Sequence, residues 1–133
     1  MANYDNIIDC EGKSDLSERI YRFNVNVQKL ISEFPENEKG SANMSELSSV
    51  ALYTGRLASR LKAKQKLYDL RKNLNLISRN IDGCVYNLKV LSDVNEDEIL
   101  RGKTKQLLDE ANSLLTSLAD WEKECKKIED KFS

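Results

Sequence analysis

Residues Leu67 to Leu91 read LYDLRKNLNLISRNIDGCVYNLKVL, and Leu67, Leu70, Leu74, Ile77, Ile81, Cys84, Leu88 and Leu91 recur there at intervals of three and four. That spacing places all eight side chains along one side of an α-helix, whereas a strand would send alternate members to opposite faces. Two more seams follow the same rule. Leu16, Ile20, Phe23, Val27, Leu30 and Phe34 form one; Leu100, Thr104, Leu107, Ala111, Leu114, Leu118, Trp121, Cys125, Ile128 and Phe132 form the other. The expectation is an all-α protein, an elongated helical bundle whose seams have the sidedness that coiled-coil-like packing needs.

Capping signals set the boundaries. Met1 to Lys13 shows no lasting pattern and reads as a flexible leader (residues 1–13), from which Tyr4, Ile7 and Ile8 could dock on the bundle or on a partner; 14–133 reads as one helical domain. Asp15 followed by Glu18 resembles a capping box, with Ser14 as a competing cap, so a first helix is expected over 14–34. Pro35 ends it and opens a polar loop through Asn43. Asn43 with Glu46, and Asn95 with Glu98, are the caps expected for helices over 44–91 and 96–131.

The helix over 44–91 would be overlong, spanning roughly 70 Å at 1.5 Å per residue. Asp82-Gly83 is a candidate turn, but Ile81, Cys84, Leu88 and Leu91 keep one phase across it, which favours continuity. The phase does change earlier. Val50, Leu57, Leu61 and Tyr68 share one arc, while Leu67, Leu70, Leu74 and Ile77 share another more than about 90° away, far beyond the ~20° drift of a heptad. The first half of the helix is therefore expected to face the first helix, and the second half to form an antiparallel hairpin with the last. Such a molecule would thin to two helices towards the turn near Ser92, leaving apolar surface wet. Self-association as a dimer or larger assembly, with Leu74, Ile77, Ile81 and Leu88 as candidate contacts, or docking on another helical protein, would cover it.

A formal net charge of −1 hides a strong segregation. Between Leu47 and Ile81 the bases are Arg56, Arg60, Lys62, Lys64, Lys66, Arg71, Lys72 and Arg79, against Asp69 alone. Arg56, Arg60 and Lys64 follow at four-residue spacing with Arg71 near the same line, a candidate site for a polyanion or an acidic partner. The alternative role for such charges is lacing to acidic helices within the bundle. Tyr53 and Tyr68 border the stretch and could stack on bases of single-stranded nucleic acid, although Tyr68 falls in an apolar arc and packing is its simpler role. Tyr21, Tyr86 and Trp121 read as core or core-edge aromatics.

Chemistry-bearing patterns are sparse. There is no histidine, no Gly-rich phosphate loop and no Glu-x-x-His pair, so no catalytic residue, metal site or cofactor is expected. Cys10, Cys84 and Cys125 match no zinc spacing; Cys84 and Cys125 read as core residues several turns apart, unable to form a disulfide, and Cys10 as an incidentally reactive thiol in the leader. No apolar run of transmembrane length exists, and Met1 to Cys10 lacks a secretory signal's basic and apolar regions, so a cytoplasmic location is expected. The reading is a non-catalytic helical interaction or assembly protein, the alternative being a nucleic-acid-binding accessory protein that uses the basic stripe.

Overall fold

The structure is a computed structural model that describes residues 7–10 and 14–132. The elements run β1 (Ile7–Ile8), α1 (Ser14–Ser32), α2 (Glu36–Lys39), α3 (Ala42–Ala58), a 3-10 turn (Ser59–Lys62), β2 (Gln65–Lys66), α4 (Leu67–Val94) and α5 (Glu98–Phe132). The four long helices close a ring in which α1 packs on α3 and α5, and α4 packs on α3 and α5. Polar contacts show that neighbours run antiparallel. Ser17 and Gln28 of α1 reach Ala58 and Ser48 of α3, and Arg19 and Glu33 meet Ser117 and Lys103 on the α5 side. The result is an up-down-up-down four-helix bundle, one of the standard ways for amphipathic helices to bury their stripes.

The expected single helix over 44–91 is two helices. Gly83 is helical, as the phase argument required, and the chain reverses instead between Ala58 and Leu67. No proline or glycine marks the place. Leu57 and Leu61 are fully buried on one side of the reversal and Leu67 and Leu70 on the other; the phase jump between the two sets marks the reversal here rather than a change of neighbour along one helix. Ala63 takes an extended conformation, and Gln65 Nε2 donates to the carbonyls of Arg60 (2.7 Å) and Ala63 (3.2 Å), satisfying acceptors that a helix end leaves open. Antiparallel pairing of Ile7 with Lys66 and Ile8 with Gln65 fixes the end of the loop. The molecule's length is therefore set by α5, ~52 Å for its 35 residues, rather than by a central rod.

The reversal also corrects the expected thinning. The end near Ser92 is covered by α3 and by the segment after α1, with Asn43 bonded to Asn87 and Glu33, Pro35 and Glu38 lining a cleft shared with Val94 to Asp97. Leu74, Ile77, Ile81 and Leu88, the residues expected at a self-association surface, are fully buried within one chain because α3 folds back over α4. They are core, so they are not available as contacts between copies of the folded chain.

Two polar features set the helix register. Asn87, fully buried on α4, donates to Glu46 Oε2 (3.1 Å) and the Gly83 carbonyl (2.9 Å) and accepts from Asn43 Nδ2 (2.9 Å), joining α4 to α3. On the other side, a Cβ built at Gly55 would lie 2.8 Å from Asn24 Nδ2 and 3.2 Å from Asn24 Cβ, so glycine is what lets α1 and α3 approach closely. The caps of α3 and α5 each differ by two residues from the expected Asn43 and Asn95. Ser41 caps α3 by accepting from Met44 N, and Asp97 Oδ1 caps α5 by accepting from Ile99 N and Leu100 N. The leader is outside the described residues except for Ile7 to Cys10, as are Tyr4 and the Phe132 side chain.

Candidate docking surface at the basic end

The reversal gathers cations that the sequence had strung along one helix. Arg56 lies at the end of α3, Arg60 in the 3-10 turn, Lys64 in the connection to β2, and Arg71 on the first turns of α4. The structure therefore replaces a stripe by a basic end: Arg60, Lys62, Lys64 and Lys66 project from the connector, with Lys72 one turn into α4. All five are exposed, and Arg60, Lys62, Lys64 and Lys72 form no ion pair among the described residues. Arg71 differs, being half-buried and paired with Glu129 of α5. One of the four candidate residues is thus committed to lacing its own bundle, while Arg56, Arg60 and Lys64 face solvent.

Described residues line two clefts at this end. Arg60, Ala63, Gln65, Asp69, Lys72 and Asn73 line about 380 Å³ between the connector and α4. Tyr68, Arg71, Lys72, Asn75 and Glu122 line about 410 Å³ between α4 and α5. Tyr68 is 57% exposed, which overturns its reading as a packing residue: it sits one position beyond Leu67, and Leu67 takes the core site. Tyr21 and Tyr86 are likewise exposed, one or two positions off their seams, whereas Trp121 is buried as expected. The surplus of positive charge belongs to the connector. The last turns of α5 carry Lys123, Lys126, Lys127 and Lys131 against Glu122, Glu124, Glu129 and Asp130, and α1 begins with Asp15 and Glu18.

Cys10 is not the reactive thiol expected of a leader residue. Its side chain is buried against the strand pair, Gln65 Nε2 lies 3.8 Å from its sulfur, and burial pushes its pKa up. Burial raises Cys84 to about 12 and Cys125 to about 11, the latter against the opposing pull of Arg71. All three cysteines are free. Thiols held protonated in this way are poor nucleophiles. Among the described residues no group of three or more His, Cys, Asp or Glu side chains is placed to hold a metal ion, and no helix is long and apolar enough to cross a membrane.

The chain matches no protein-family model, and no curated protein or solved structure is significantly similar to it.

Proposed function

We propose that this chain is a non-catalytic interaction protein that docks on an acidic protein surface through its basic end. The observation that supports the reading most directly is the set of four exposed cations, Arg60, Lys62, Lys64 and Lys72, which form no ion pair among the described residues and are held at one end of a bundle whose seam residues from Leu16 to Cys125 are buried. With the seams sealed, the seam residues themselves offer no surface for a partner, and the unbalanced charge of the connector is the feature that selects one. Rim charges of this kind raise association rates and choose partners more than they add affinity. Binding is therefore expected to be moderate and strongly weakened by salt.

The test is fluorescence anisotropy with a labelled glutamate-rich peptide at low and physiological salt. Binding that falls with salt, and falls at least about tenfold in the Lys62→Gln/Lys64→Gln variant, supports the reading; a flat titration at low salt refutes it. A second reading has its own observation, the exposed Tyr68 beside Arg71 and Lys72, a combination able to stack and neutralise single-stranded nucleic acid. A labelled single-stranded oligonucleotide that binds in preference to the peptide, with Tyr68→Ala weakening it, would favour that alternative.

A further inference from the structure

The end opposite the connector carries the complementary surface. α4 runs from one end of the bundle to the other, ~42 Å for 28 residues, several times the ~10 Å screening length at 0.1 M salt. At its far end the segments 33–39 and 93–99 come together around a shared cleft. They carry Glu33, Glu36 and Glu38 with Asp93, Glu96, Asp97 and Glu98, against Lys39 as their one base. Glu33 and Glu36 pair with Lys103 and Lys39, and Asp97 caps α5. Glu38, Asp93, Glu96 and Glu98 are exposed and form no ion pair among the described residues.

The two ends also match in apolar surface. The acidic end exposes Val94 (67%) and Ile99 (71%) on either side of the α4–α5 turn. The basic end exposes Ile7 (62%), which pairs with Lys66, and Tyr68. Each end thus presents two large apolar side chains beside a surplus of charge: positive in the connector and first turns of α4, where Asp69 is the one acid between Arg60 and Lys72, and negative in segments 33–39 and 93–99. Two like ends brought together would place like charges face to face, whereas unlike ends bring cation to carboxylate around an apolar centre.

We propose that the basic end docks on the acidic end of a second copy of this chain, giving head-to-tail association. The proposal rests on the reading of the basic end as a docking surface and names its partner. A contact between two different surfaces is heterologous, so it does not close on itself at two copies but adds further ones.

Sedimentation equilibrium at about 20 mM and 500 mM salt tests it with four proteins: wild type, Lys62→Gln/Lys64→Gln, Glu96→Gln/Glu98→Gln, and Ile99→Ser. Every substituted residue is exposed, so unchanged helicity and melting temperature confirm that the comparison is between folded chains. The wild type is expected to grow beyond a dimer with concentration at low salt and to be a monomer at high salt. Each charge variant alone should associate at least about tenfold more weakly, and Ile99→Ser should weaken association at low salt with no change in charge.

Mixing the two charge variants leaves one intact junction per pair, so they should form a one-to-one heterodimer with about wild-type affinity that grows no further. A wild type that stays monomeric at several hundred micromolar and low salt, one that stops at a closed dimer, or a mixture no more associated than its components overturns the proposal. Peptide binding by the basic end, measured as above, then tells the two failures apart: if it persists, the docking surface stands and its partner is a different acidic protein.

Discussion

Replacing Gly55 by alanine sets two known effects against each other. Alanine in a helix interior is favoured over glycine by about 1 kcal/mol, so in α3 considered alone the substitution stabilises. The structure places the new methyl 2.8 Å from Asn24 Nδ2 and 3.2 Å from both Cβ and Cγ of the same residue. Rotating the amide away is not enough, because Cβ is fixed to α1, and Asn24 is buried and accepts a hydrogen bond from Gln28 Nε2. Either α1 and α3 separate or that hydrogen bond is distorted, and overpacking of this kind costs about 1–3 kcal/mol. The expected balance is a loss of about 1 kcal/mol, or roughly 4 °C in melting temperature for a chain of this size. Gly102→Ala is the control. It lies within α5 with nothing inside 4 Å of its added methyl, so it should gain about 1 kcal/mol and melt higher. Thermal denaturation followed by circular dichroism reads both. If Gly55→Ala melts as high as Gly102→Ala, the close approach of α1 to α3 is wrong.

Other outcomes follow from the same packing. Asn87→Ala removes three hydrogen bonds between and within α3 and α4, and it should cost about 1–3 kcal/mol by urea denaturation; an unchanged midpoint would mean the network is not formed. Leu74→Glu/Ile81→Glu should abolish helicity rather than dissociate an assembly, because both sites are sealed inside one chain; a helical variant of reduced mass would restore the self-association surface inferred from sequence. Cys84 and Cys125 keep their protons to about pH 12 and 11 in the folded chain but release them near 9 when unfolded. Their contribution to stability is therefore complete below about pH 9 and is lost as pH rises towards 11–12. Melting temperatures of wild type and Cys84→Ser/Cys125→Ser across pH 8–11 should differ in slope, the wild type falling more steeply, and equal slopes would refute the assignment. Gln65→Ala leaves the Arg60 and Ala63 carbonyls without that donor, and amide hydrogen exchange should speed up in the connector while α5 is unaffected; uniform exchange would show that Gln65 does not hold the turn.

The helices were legible where burial repeats with helical spacing. Leu67 to Leu91 and Leu100 to Cys125 are core along their whole seams, and continuity across Gly83 followed correctly from phase. The reversal at Ser59 to Lys66 is not legible in the sequence because its punctuation is a side chain, Gln65 closing carbonyls, and not a proline or glycine. The phase jump between Leu61 and Leu67 did carry the signal, but a jump can mean a new neighbour or a new helix, and periodicity alone does not choose. The same ambiguity decided the fate of the candidate site. Arg56, Arg60 and Lys64 are the right residues for an exposed basic surface, but their four-residue spacing has no bearing on where they point once they lie on three different elements. Leu74, Ile77, Ile81 and Leu88 read as apolar surface from the sequence because α3, which covers them, reads there as part of the same helix.

The reversal between α3 and α4 creates both the sealed core and the basic end, so the distance across it tests the account most directly. Ser45 on α3 and Lys89 on α4 are exposed and lie close to the level where Asn43 meets Asn87. Spin labels on a Ser45→Cys/Lys89→Cys variant, with the three native cysteines replaced, report that distance by double electron–electron resonance. Adjacent antiparallel helices pack about 8–10 Å apart, so the account requires a narrow distribution below about 20–25 Å once the labels' own length is included. A continuous helix would put the labels 44 residue steps apart, and a distribution centred near ~66 Å would contradict it.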